Sequence, residues 1–183
     1  MCFRRFDGLM RGLPALRKVD ICLATSFFLE DHLENEGAGD LGWGNVIMVL
    51  KNAALTIEEL SIDVEVPFSK FRISEPVRSI SSSLRGWNFT KLKPLSIPND
   101  ALYDTDTNLN TGPVDMFPDG LETIEVIDPD HRTVAWMQAL VDRKREGRYT
   151  ALHTVSLKQR HDYKDENVWS DAKWEGIKVL WSS

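Results

Sequence analysis

The sequence predicts an α/β solenoid in which parallel strands follow one another in chain order along one face and helices return along the outer face. Three observations carry this. A short apolar motif recurs six times, the last two apolar residues of each copy alternate with a polar one, and stretches between copies show helical spacing. Alternation with period two marks a strand with one buried face, whereas apolar residues three and four apart mark one side of a helix. Strands separated by helices pair in parallel with right-handed crossovers.

The motif is an apolar residue, two variable residues, a second apolar residue, one variable residue and a third apolar residue. Its copies are Leu16-x-x-Val19-x-Ile21, Ile57-x-x-Leu60-x-Ile62, Leu92-x-x-Leu95-x-Ile97, Leu121-x-x-Ile124-x-Val126, Leu152-x-x-Val155-x-Leu157 and Trp174-x-x-Ile177-x-Val179. Between the last two apolar positions stand Asp20, Ser61, Ser96, Glu125, Ser156 and Lys178. The copies recur every ~20 to ~40 residues, around the leucine-rich-repeat period of about 20–29 or somewhat longer. The expected fold is therefore an irregular leucine-rich-repeat-like solenoid with insertions, each repeat burying its apolar edge against its neighbours.

Taken in order, Leu13-Pro14-Ala15-Leu16 leads into the first strand, and Phe117-Pro118-Asp119-Gly120-Leu121 leads into the fourth. Proline fixes an extended approach in both. Residues 43–54 read as a helix, with Val46, Leu50 and Ala53, or Ile47, Leu50 and Ala54, on one side. Ser74 and Pro76 supply a cap and a first-turn proline for a helix presenting Val77, Ile80 and Leu84. The polar run near 99–116 reads as a solvated insertion. Its Asp104-x-Asp106-x-Asn108 with Asn110 and Asp115 has the spacing of a calcium loop, but Leu109 stands where glycine is needed and Asp115 where a bidentate glutamate is needed. Asp128-Pro129 opens a helix burying Val134, Met137, Leu140 and Val141, closed by Gly147. A further helix is expected over 165–172, before the last copy.

Composition bounds the function. With 42% hydrophobic and 27% charged residues in 183, the chain forms one folded domain spanning 1–183. A net charge of −6 has the wrong sign for a phosphate-binding surface, which excludes nucleic acid as the expected partner. The basic cluster Arg143, Lys144, Arg145 and Arg148 falls at a helix end, where cations complement exposed carbonyls. Residues 6–12 interrupt any signal-like apolar core and no run approaches ~18 apolar residues, so no membrane association is expected and the chain reads as intracellular, cytoplasmic or nuclear. Cys2 and Cys22 form no metal-type pair and are expected reduced.

His32, His131, His153 and His161 are scattered, and no nucleophile elbow, phosphate-cradling loop or dinucleotide fingerprint occurs. No catalytic, cofactor-binding or metal-binding residue is assigned, and the chain reads as non-enzymatic. The expected partner surface is the concave face of the sheet, carrying Asp20, Asp63, Ser96, Glu125, Ser156 and Lys158. Its mixed polar and acidic character suits a basic protein segment. Of the six tryptophans, Trp136 and Trp174 are expected to pack, while Trp87 and Trp181 are candidate exposed contacts.

The stretch from Phe117-Pro118-Asp119-Gly120-Leu121-Glu122-Thr123-Ile124-Glu125-Val126, through a helix with Trp136, to Lys144-x-x-Gly147-Arg148-Tyr149-x-Ala151-Leu152-His153-x-Val155, resembles the C-terminal repeat region of fungal F-box proteins. The resemblance is specific over 117–157 and loose elsewhere. It implies a substrate-recognition region of an F-box/leucine-rich-repeat ubiquitin-ligase receptor. No F-box is visible in this sequence, so the cullin-ligase adaptor is an expected partner only where an F-box lies upstream. The alternative is a repeat-only scaffold or regulatory binding protein with no ligase link.

Overall fold

The computed structural model describes residues 15–23, 50–64, 89–102, 117–160, 174 and 176–182. Six strands, β1 (Lys18–Leu23), β2 (Glu59–Val64), β3 (Pro94–Pro98), β4 (Thr123–Ile127), β5 (Thr154–Lys158) and β6 (Lys178–Ser182), form one parallel sheet in the order β1-β2-β3-β4-β5-β6. Each strand pairs with the next in sequence, so every crossover steps one place in the same direction. One α-helix, α1 (His131–Arg145), lies among the described residues, between β4 and β5.

The motif copies fall into register. Val19, Leu60, Leu95, Ile124, Val155 and Val179 stand opposite one another across all six strands. Ile21 faces Ile62, and Ile97, Val126 and Leu157 continue that position in β3 to β5. These rows, with Val179 at the edge only partly buried, and the turn residues Ile57, Leu92, Leu121 and Leu152 pack in one core with Trp136, Met137, Leu140 and Val141 of α1. Burying each such side chain stabilises by about 1.5–3 kcal/mol.

The turn before each strand repeats as well. The Leu92, Leu121, Leu152 and Ile177 backbone N–H groups donate to the carbonyls of Phe89, Pro118, Tyr149 and Trp174, at 2.9–3.2 Å. Phe117 meets Trp136 edge-on at 5.9 Å between ring centroids and Tyr149 at 6.4 Å, so aromatic rings tie neighbouring turns to the helix.

Four expectations are corrected. The last copy is displaced: Ile177 closes the turn, as Leu152 does, and Val179 and Trp181 face Val155 and Leu157. The motif there is Ile177-x-Val179-x-Trp181, one residue shorter, because an alternating apolar run accepts two registers and the backbone hydrogen bonds select one. Lys178 consequently faces Thr154, and Leu180 faces Ser156. In the second correction, Asn99–Leu102 forms a 3-10 turn with Asn99, Ala101 and Leu102 buried, so the start of the polar run is core rather than solvated insertion.

Third, α1 is capped by Asp130, not opened by Asp128. The Asp130 carboxylate accepts from the Arg132 N–H at 2.8 Å while the Asp130 N–H donates to Thr133 Oγ1 at 3.0 Å, a reciprocal cap. Thr133 Oγ1 in turn donates to buried Asn99 Oδ1 at 2.6 Å. Fourth, the end of the helix expected over 43–54 is a 3-10 turn at Lys51–Ala53. The helix led by Ser74 and Pro76, the one over 165–172 and the calcium-like run 104–115 lie outside the described residues. Among the described residues, no helix is long and apolar enough to cross a membrane.

The closing glycine is where the sequence predicts it. Gly147 has φ +88°, its N–H donates to Lys144 O and the Arg148 N–H donates to Arg143 O, the paired bonds of a Schellman end. The basic cluster is spent locally: Lys144 Nζ donates to the carbonyls of Tyr149, Thr150 and Leu152, Arg143 pairs with Glu146, Arg145 with Asp142, and Arg148 with Asp119.

Candidate functional site

The face of the sheet opposite the α1 core is built from the alternate residues of the strands. Its central row is Asp20, Ser61, Ser96, Glu125, Ser156 and Leu180, each opposite the next. Four of the sequence-predicted contact residues, Asp20, Ser96, Glu125 and Ser156, are thus brought into one line. Beside it runs Pro94, Thr123, Thr154 and Lys178. Short hydroxyl side chains keep the middle of this face low. The result is an open trough of about 240 Å³ over β2 to β5, floored by Ser61, Ser96, Ser156, Thr123 and Thr154, with Glu59 and Glu125 also lining it.

The two carboxylates of the trough differ. Glu59 Oε1 accepts from Lys18 Nζ at 2.6 Å, and that hydrogen bond, then the Glu59 charge, holds the Lys18 ammonium above the usual lysine value. Glu125 Oε1 accepts from Ser96 Oγ at 2.8 Å, and no cation pairs with Glu125 among the described residues. Asp20 has no ion pair among the described residues either.

At the C-terminal ends of the strands the face is closed by a different construction. Asp128, at φ +54°, accepts from Arg160 through Nε at 3.1 Å and through Nη2 at 2.7 Å, and from the Arg160 backbone N–H at 3.0 Å. Arg160 Nη1 reaches Asp63 Oδ1 at 2.7 Å, joining β2 to the segment after β5 across two strands. Asp63, expected as a partner contact, is engaged in this internal clamp. On the intervening strands Pro98 and Ile127 are buried although they alternate with the core positions. Lys158 lies in register with Ile127 and has no ion pair among the described residues.

The N-terminal edge carries a feature that reading the sequence copy by copy did not find. The residues immediately before β1 to β5 are Arg17, Glu58, Lys93, Glu122 and His153, the first four alternating in sign. Arg17 Nε stands 3.8 Å from Glu58 Oε1 and Lys93 Nζ stands 2.8 Å from Glu122 Oε1. The backbone N–H of each donates to the carbonyl of the one before, at 2.7–3.0 Å. The Lys93 hydrogen bond holds the Glu122 carboxyl below the usual carboxylate range, slight desolvation opposing and the Lys93 and His153 charges adding. The same bond, then the Glu122 charge, raises Lys93. The signal is legible once the copies are aligned, since it always follows the first anchor.

Of the tryptophans, Trp136 is fully buried and Trp174 partly buried, as expected, while Trp181 is 44% exposed on the core-side face of the edge strand. Trp87 lies outside the described residues. An open trough of this size is smaller than the apolar pockets that enclose small molecules, about 300–1,000 Å³. No family model, no curated protein and no solved structure matches this chain.

Proposed function

We propose that this chain is a protein-binding module of the leucine-rich-repeat solenoid type, and that the outward face of its sheet holds the partner. By resemblance it is the substrate-recognition part of an F-box/leucine-rich-repeat ubiquitin-ligase receptor. The observation that carries the reading is the register: the six strands place the residues between their apolar positions in a single row, whose middle four members line an open trough, while the apolar positions pack against one core. Repetition of one unit with a free, variable face is how stacked-repeat proteins present an extended binding surface.

The test is affinity capture with the tagged chain and with a variant whose trough is filled, Ser96→Tyr with Ser156→Tyr. Proteins retained by the wild type and lost from the variant support a partner on this face. Cullin-ligase subunits among them support the receptor reading, and their absence from a trough-dependent set favours a scaffold without a ligase link. Equal capture by both chains removes the trough as the binding site.

A further inference from the structure

We propose that the trough takes an extended segment of a partner protein whose Lys or Arg side chain is held by Glu125 and whose apolar side chain about three residues away packs on Leu180. The proposal rests on the reading of this face as a protein-binding surface and names what it selects. Glu125 stands mid-sheet, on β4, at the centre of the trough. One of its oxygens accepts from Ser96 Oγ at 2.8 Å, which orients the carboxylate over the row. The other trough carboxylate, Glu59, already has Lys18, and no cation among the described residues lines the trough. An oriented carboxylate without a cation among the described residues, flanked by neutral hydroxyls, complements an ammonium or guanidinium.

The second contact follows from the same row. Ser156 and then Leu180 continue it beyond Glu125, and Leu180 is 40% exposed, an apolar end to a polar row. Two strand spacings of about 4.8 Å separate Glu125 from Leu180, roughly 10 Å. Three residues of polyproline-II chain span about 9 Å and, at about three residues per turn, turn both side chains to the same face. The serine between them leaves room for the intervening backbone. Lys158, two residues after Ser156 on β5, would repel a second cation beside the first, which favours a single basic residue in the segment.

A display library of random twelve-residue peptides panned on the full chain tests this. Binders of the wild type are expected to share one Lys or Arg with an apolar residue about three positions away. Glu125→Gln preserves an acceptor for Ser96 and should weaken those binders roughly tenfold, the loss of one charge-assisted contact. Glu125→Lys should select Asp or Glu at the same position, and Leu180→Glu should lose the apolar preference alone. Binders abolished by Ser156→Tyr yet showing no preference for a cation would overturn this inference while leaving the binding face standing. Binders indifferent to Ser156→Tyr, or no binders at all, would remove both.

Discussion

Two residues in left-handed backbone mark where side chains outweigh local strain. Asp128 at φ +54° and Tyr149 at φ +48° are not glycines, and such conformations cost on the order of 1 kcal/mol or more. Asp128 is compensated by Arg160, whose guanidinium also holds Asp63. Replacing Arg160 by Met leaves two partly buried carboxylates without it. We expect a loss of about 1–3 kcal/mol in urea unfolding, with Arg160→Lys recovering only part because an ammonium cannot make the paired contacts. Gly147, at φ +88°, has no atom near the position of a β-carbon, so Gly147→Ala tests conformation without a clash. A cost of about 1 kcal/mol is expected, and no measurable change would show that the Schellman end contributes little.

At the scale of the element, α1 shows how one helix is both started and buried. Its cap and its tie to Asn99 come from the same two residues, Asp130 and Thr133. Asp130→Ala is expected to cost about 1 kcal/mol, the usual loss for an N-cap. Thr133→Val should cost more, because it removes the hydroxyl from both the cap and buried Asn99, whose amide is then left without that bond. Thermal unfolding of the two variants ranks them directly. Trp136 is fully buried against Phe117, and its Nε1 has no hydrogen-bond partner among the described residues, so shape rather than polarity holds it. Trp136→Phe should therefore be far milder than Trp136→Ala, for which about 3–5 kcal/mol is expected.

At the scale of the molecule, the alternating charges before β1 to β4 favour one strand order, since placing β1 beside β3 or β2 beside β4 would bring like charges together. Lys93→Glu and Glu122→Lys should each destabilise, and the double swap should recover much of the loss; additive losses would show that the pair does not couple. The pair also predicts a pH dependence. Glu122 is depressed when folded, so its contribution is present above the unfolded carboxylate value of about 4.3 and is lost as pH falls through the lower folded value. Lys93 is raised, so its contribution is complete below about 10.4 and is lost as pH rises through the higher folded value. Glu122→Gln should thus be less stable than wild type at neutral pH and converge with it in strong acid.

The strands, their sequential parallel order and α1 were legible because period-two and period-3.6 patterns are local, and a repeated motif aligns itself. So was the row of Asp20, Ser96, Glu125 and Ser156, since alternate residues of a strand must share a face. The sequence by itself could not decide the last copy, where Trp174, Ile177, Val179 and Trp181 satisfy two registers equally, nor the start of the polar run, where Asn99 is buried by a bond to Thr133 thirty-four residues away. It also could not separate Asp63 from Glu125, two acidic residues on the same alternating face of the sheet. That difference is tertiary, because Asp63 meets Arg160 from ninety-seven residues along the chain whereas Glu125 meets only the serine of the adjacent strand among the described residues. Which charge is spent inside the fold depends on what the packed chain brings within about 3 Å, and no local pattern encodes that distance.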